Sequence, residues 1–187
     1  MAKKPINKFL LLPLFLGTVC LLSAGLIAGV NSFTEPVINQ MVIDRQNAGY
    51  YKVLGIESAD LPVDKEISQA LASDGVTSKK EFKSGDALIG YVYDVTVTGY
   101  GGPIKFQVGF KDNNFSGFNI ITHGETTTYG GVVIPQVDGR IKGQSASSDV
   151  LGLINGTDNL TAGKSETGNA LVAGITACAE DYLAEVA

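Results

Sequence analysis

The feature that most constrains this chain is an uncharged apolar run from Phe9 to Val30, preceded by Lys3, Lys4 and Lys8. As a helix rising about 1.5 Å per residue, the run is long enough to cross a hydrocarbon core of about 30 Å. Pro13 falls in its first turns, where a freed carbonyl is best tolerated. A cleaved signal peptide would have a shorter apolar core and a small-residue cleavage site, and no such site follows. Val19 is a poor residue to precede a lipidated Cys20, so a lipoprotein is not expected either. The reading is an uncleaved anchor. Its far flank, Asn31 to Met41, has no Lys or Arg, which places the basic end in the cytoplasm and everything after Val30 outside it. The chain is therefore divided into a cytoplasmic tail (1–8), a transmembrane helix (9–30), a juxtamembrane helical stalk (31–60) and a domain (61–187).

Charge and rare residues exclude several classes. The net charge of −5 argues against nucleic acid as a partner. Two cysteines, Cys20 and Cys178, and a single histidine, His123, supply neither a disulfide framework nor a metal-ligand set.

Beyond the anchor, Thr34-Glu35-Pro36 has the form of a helix start: a capping hydroxyl, an acid and an early proline. Asp64 to Asp74 reads as a second short helix stopped at Gly75. From Ile89 the apolar residues Ile89, Tyr91, Tyr93, Val95 and Val97 recur at period two, the mark of a strand. Gly99-Tyr100-Gly101-Gly102-Pro103 is a turn. Ile104, Phe106, Val108 and Phe110 then alternate with Lys105, Gln107, Gly109 and Lys111, a second strand with one wet face. Asp112-Asn113-Asn114 turns the chain into a third strand, Phe115 to His123. Short connections between adjacent strands predict an antiparallel meander. Val132 to Asp158 is read as strand, loop and short helix. A final helix from about Thr167 carries Leu171, Ile175, Cys178 and Tyr182 on one stripe, suited to packing on the sheet. The fold class is α+β: one transmembrane helix, then a mainly antiparallel sheet closed by a C-terminal helix.

Two polar loops carry the candidate chemistry. Asn159 to Ala170, NLTAGKSETGNA, holds Thr161, Ser165 and Thr167 and leads into the last helix, whose first amides are unpaired and partly positive. Gly163 permits close backbone approach, Lys164 adds charge, and Ser165 offers a hydroxyl. Such a loop suits a phosphate, although the commoner reading of such a stretch taken alone is a surface turn in which Thr167 caps the helix. A nucleotide-hydrolysing P-loop is excluded, because Asp158 stands where that motif needs its first glycine. The second loop, His123-Gly124-Glu125-Thr126-Thr127-Thr128-Tyr129-Gly130-Gly131, reads as a solvated loop or a polar lid over a ligand. No nucleophile or metal accompanies the His/Glu pair, so binding rather than catalysis is expected.

These motifs, in this order, resemble the membrane-anchored FMN-binding subunits of bacterial redox-driven ion pumps, that of the Rnf electron transport complex above all. The corresponding flavin subunit of the sodium-pumping NADH:quinone reductase is a cousin. Thr34 near the outer end of the helix, Gly90-Tyr91-Val92, Gly99-Tyr100-Gly101-Gly102-Pro103-Ile104 and His123 to Gly130 are similar to motifs of that family. The resemblance implies an extracytoplasmic domain that holds FMN and relays electrons as a subunit of a translocating oxidoreductase, which couples ferredoxin oxidation and NAD reduction to Na+ or H+ export. Other membrane subunits would be its partners. A flavin transferase would join the FMN phosphate to a hydroxyl as a phosphoester. Aligning Gly163 to Gly168 on the family's last motif makes Ser165 the attachment residue; sliding by one restores Asp158 and Thr161 to the motif but puts Lys164 at the attachment point. By the same resemblance Thr161, Gly163, Lys164, Thr167, His123, Glu125, Thr126 and Gly130 are cofactor-binding. The competing readings are an assembly subunit of such a complex that has lost its flavin, and an exported flavin-binding domain outside any pump.

Overall fold

The computed structural model describes residues 8–56, 65–67, 75–84, 86–163 and 165–187. Clustering of the backbone separates two compact units, Met1–Asp44 and Arg45–Ala187.

The first unit consists of helix. Helix α1 runs from Lys8 to Leu54 with Pro13 and Pro36 inside it, and it includes a segment long and apolar enough to cross a membrane. Leu14, Leu21, Leu26 and Phe33 are all widely exposed along it. The helix start expected at Thr34 is not found. The Thr34 hydroxyl instead donates to the Val30 carbonyl at 2.8 Å, within the helix. Pro36 removes one backbone donor, and the bonded turns on either side carry the helix across that gap.

The second unit is a five-stranded antiparallel sheet in the order β1-β2-β3-β4-β5. Its strands are β1 (Lys65–Ile67), β2 (Val76–Ser84), β3 (Ala87–Gly99), β4 (Gly102–Lys111) and β5 (Asn114–Thr122). The expected meander is present in β3 to β5. Val95 stands opposite Phe106, and Val108 opposite Phe118, so the inward residues of the three strands form one face. Helix α4 (Ser165–Val186) lays Leu171, Ile175, Cys178 and Tyr182 on that face, as its stripe foretold. Helices α2 (Ile134–Ile141) and α3 (Val150–Asn155) close the same core with Val137, Ile141, Val150 and Ile154.

Three expectations are corrected. Lys65–Ile67 pairs with β2 as a strand, where a helix over 64–74 was expected; the rest of that segment lies outside the described residues. The apolar piece at Val132 to Ile134 forms a 3-10 turn (Gly130–Val132) leading into α2 and not a strand, because Pro135 at the helix start favours helical entry. The wet face of β4 is wet only at Lys105 and Lys111, for the last turns of α1 cover its centre. There Tyr50, Val53 and Leu54 pack on Phe82 and Val92. The helix lies so close that a Cβ at Gly117 would stand 2.9 Å from Val53 Cα, and one at Gly109 2.9 Å from Val53 O.

Polar groups fix both sides of the sheet. Beneath α1, the buried Asp94 accepts from Tyr50 Oη (2.8 Å) and Ser78 Oγ (2.6 Å) through Oδ2, and from Gln107 Nε2 (2.9 Å) through Oδ1. Beneath α4, Lys79 Nζ reaches Asp181 at 2.8 Å and Glu185 at 3.0 Å, and the Tyr93 hydroxyl donates to the same Asp181 oxygen at 2.7 Å. Burial and the Asp181 carboxylate push the Tyr93 hydroxyl well above the ordinary tyrosine value. Burial alone would lower Lys79, but its bonds to Asp181 and Glu185 outweigh that and raise it. In both cases the folded chain holds the proton more tightly than the unfolded chain does. Their contribution is thus complete below about pH 10, the ordinary range of these groups, and is lost as pH rises through the folded values. Chemical-denaturation titrations should show stability falling above about pH 10, with a shallower fall in Tyr93→Phe. An unchanged slope in that variant would remove Tyr93 from the account.

Candidate functional site

Two segments meet at the end of the sheet where β3 stops and β4 begins, and a third lies against the start of α4. They are the Gly99–Gly102 turn, the loop from His123 to Val133, and the loop from Gly156 to Gly163 that enters α4. Their contacts follow from the glycines. A Cβ at Gly101 would overlap Gly124 O, and one at Gly124 would overlap Gly101 O, so the first two segments touch backbone to backbone. A Cβ at Gly168, in the first turn of α4, would lie 2.5 Å from Thr161 Cγ2, which seats the third segment against the helix it precedes.

Glu125 stands where the Gly101 turn meets the His123–Val133 loop. It is 6% exposed, although its neighbours His123, Gly124, Thr126 and Thr127 are open to solvent. Its Oε1 accepts from the Gly101 amide at 2.8 Å, and its own amide donates to His123 Nδ1 at 3.2 Å. Its Oε2 is buried with no hydrogen-bond partner. So is Thr167 Oγ1, on a residue fully buried in the first turn of α4. Both orphaned oxygens lie against Gly130, where a Cβ would overlap each of them. Gly130 is therefore glycine because a carboxylate and a hydroxyl occupy the space beside it.

The other expected residues are placed as follows. Thr161 is buried, and its hydroxyl and amide both donate to Asn155 Oδ1, at 2.6 and 3.1 Å, which pins the loop to the end of α3. Arg140 holds the same corner, donating to the Ile154 and Asn155 carbonyls and pairing with Asp158 at 2.7 Å. Gly163 adopts φ +71°, a left-handed turn that glycine takes without strain and that delivers the chain to α4. Ser165 is the first residue of α4, and Thr167 lies within the helix and not at its cap. Lys164 lies outside the described residues. Thr126 is exposed, and its carbonyl accepts from the Tyr129 and Gly131 amides at 3.0 and 2.9 Å, which curls the loop over itself. Among the described residues no cluster of His, Cys, Asp or Glu is arranged for a metal.

Two residues were not singled out from sequence. Tyr100 and Tyr129, 66% and 44% exposed, come from different loops and hold their rings 5.7 Å apart. An aromatic residue between turn glycines, as in Gly99-Tyr100-Gly101, was the available signal, since a tight turn leaves a large ring in solvent.

A flavin nucleotide needs an anion site for its phosphate and a surface for a planar ring. The residues present fit that pair of demands. The unpaired amides of the first turn of α4 can donate to a phosphate, and an exposed aromatic pair, Tyr100 and Tyr129, stands on the Gly99–Gly102 turn and the His123–Val133 loop. No curated protein matches the chain closely enough to count as a relative. Residues 99–178 match the family model described as "FMN-binding domain", a span that begins at the Gly99 turn and takes in all three of these segments. Residues 99–178 thus have the character of an FMN-binding domain, which makes FMN the cofactor and supports a flavin-binding electron-carrier role.

Proposed function

We propose that this protein is the anchored flavoprotein subunit of an Rnf-type complex, relaying electrons through FMN between ferredoxin oxidation and NAD reduction while neighbouring membrane subunits export Na+ or H+. The observation that carries the reading is the FMN-binding match over residues 99–178 in a chain that also has one helix long and apolar enough to span a membrane. The order of the Thr34, Gly99–Ile104, His123–Gly130 and Gly163–Gly168 motifs supports the Rnf assignment. In this reading α1 is a single-pass anchor with its basic N-terminus in the cytoplasm and the flavin domain outside.

The residues that would hold FMN are those of the site. The first-turn amides of α4 and Lys164 would take the phosphate as charge-assisted hydrogen bonds. Ser165 would carry it as a phosphoester placed by a flavin transferase. Gly163 would let the loop pass close to the phosphate, and Thr126 with the Tyr100–Tyr129 pair would border the ring system. Bound FMN supplies the redox chemistry, and the protein positions it and sets its electrostatic surroundings.

The test uses the full-length chain expressed with its host's flavin transferase. Flavin fluorescence should persist in the denatured gel band, vanish in Ser165→Ala and survive in Thr161→Ala. Fluorescence surviving Ser165→Ala would reject Ser165 as the attachment residue. For the complex, a tagged chain should bring down polytopic membrane subunits together with ferredoxin:NAD activity. A flavin-loaded chain purified alone from native membranes would favour an exported flavin protein outside any pump, and a partner-bound chain without flavin an assembly subunit.

A further inference from the structure

We propose that Glu125 is a positioning residue for the cofactor: a buried tie that joins the first turn of α4 to the Gly101 turn and so fixes the frame in which FMN sits. The proposal rests on the FMN reading above and adds to it a residue that acts from beneath the cofactor. Three observations carry it. One arm of the tie is formed, with Oε1 on the Gly101 amide at 2.8 Å. Among the described residues only three buried side-chain polar atoms lack a hydrogen-bond partner, Ser116 Oγ, Glu125 Oε2 and Thr167 Oγ1, and the last two share the face of Gly130. Those two are chemically complementary, a carboxylate acceptor and a hydroxyl donor, in a place closed to water.

Orphaned buried groups are costly, and a native fold pairs them or uses them. Here the second arm of the tie ends on the turn of α4 that offers its amides to a phosphate. Closing the bond between Thr167 Oγ1 and Glu125 Oε2 locks that turn to the loop carrying Thr126 and Tyr129. The phosphate end and the ring end of the site are then held by one side chain. Gly130 is required because any side chain there would enter the gap between the two oxygens.

The experiment compares flavin-to-protein ratio after extensive washing, in full-length protein loaded with FMN, across Glu125→Ala, Glu125→Gln, Thr167→Val and the double variant Glu125→Ala/Thr167→Val. Retention should fall about tenfold or more in Glu125→Ala and in Thr167→Val, the loss expected for one hydrogen bond to a charged group. The double variant should fall no further than Glu125→Ala, because that change already removes the bond that Thr167→Val removes. Glu125→Gln should restore retention, since its Oε1 accepts from Gly101 and its amide donates to Thr167. A Gln variant as impaired as Ala, or losses that add in the double variant, would overturn the tie. Flavin-free protein separates this proposal from the FMN reading. There, amide exchange at Gly101 should be faster in Glu125→Ala than in wild type and restored in Glu125→Gln, whether or not FMN binds. Equal exchange in wild type and Glu125→Ala would overturn the tie, whereas wild type that never retains FMN would overturn the reading beneath it.

Discussion

Gly101→Ala is expected to destabilise the flavin domain by about 2–3 kcal/mol, the usual cost of forcing an extra carbon into a closed contact, and to strip it of FMN. The added Cβ would overlap Gly124 O and lie 2.7 Å from Gly124 C and 2.9 Å from Glu125 Cα. All three are backbone atoms, so no side-chain rotation relieves the clash. The two loops must part, and parting them breaks the bond from the Gly101 amide to Glu125 at the same stroke. Gly139→Ala is the matched control. It lies in α2 with nothing within 4 Å of the new carbon, so it should leave stability unchanged or raise it by up to about 1 kcal/mol through helix propensity. Denaturant melts and flavin content of the two variants, side by side, test this. A Gly101→Ala protein as stable and as yellow as wild type would mean that the two loops do not meet as described.

Asp94→Ala should cost about 3 kcal/mol or more, because it removes several hydrogen bonds to a charged group, each worth about 1.5–3 kcal/mol. The loss comes from what is left behind. Tyr50 Oη, Ser78 Oγ and Gln107 Nε2 all donate to this 5%-exposed carboxylate; the two hydroxyls would lose their acceptor under the last turns of α1, and Gln107 Nε2 would keep only the Gln46 carbonyl. Ser78→Ala, which removes one donor and strands nothing else, should cost only about 1 kcal/mol. Limited proteolysis should then cut Asp94→Ala faster than wild type within residues 46–56. If Asp94→Ala costs no more than Ser78→Ala, the carboxylate is not the hub of that network.

Much of this fold is legible in the sequence because strict period-two alternation has few alternatives. Ile89 to Val97 and Ile104 to Phe110 leave no helical face, and the α4 stripe leaves no strand. β2 escaped notice because VTSKKEFKS shows only Val76 and Phe82 as apolar. Its remaining inward position is Lys79, buried by way of Asp181 and Glu185, and no local pattern announces a partner so far along the chain. The covered centre of β4 was hidden for the same reason. Gln107 and Gly109 read as solvent-facing until the end of α1 is laid across them. Thr34-Glu35-Pro36 misled because a helix start and a proline tolerated within a helix share one local pattern.

At the site, both candidate loops could be picked out as loops, since glycines and hydroxyls cluster there between regular segments. The inward turn of Glu125 could not. A carboxylate among four exposed neighbours is ordinarily solvated, and it is the Gly101 amide, donated from another segment, that draws this one in. Gly130 illustrates the same limit. Its being glycine was visible, but the reason, two oxygens pressed against its Cα, belongs to the tertiary structure.

The measurement that bears most directly on the account is the intact mass and visible spectrum of the full-length protein expressed with its host's flavin transferase. The account expects flavin absorption bands and a mass increased by FMN less one water, with the modified peptide containing Ser165. Colourless protein at its unmodified mass would contradict it.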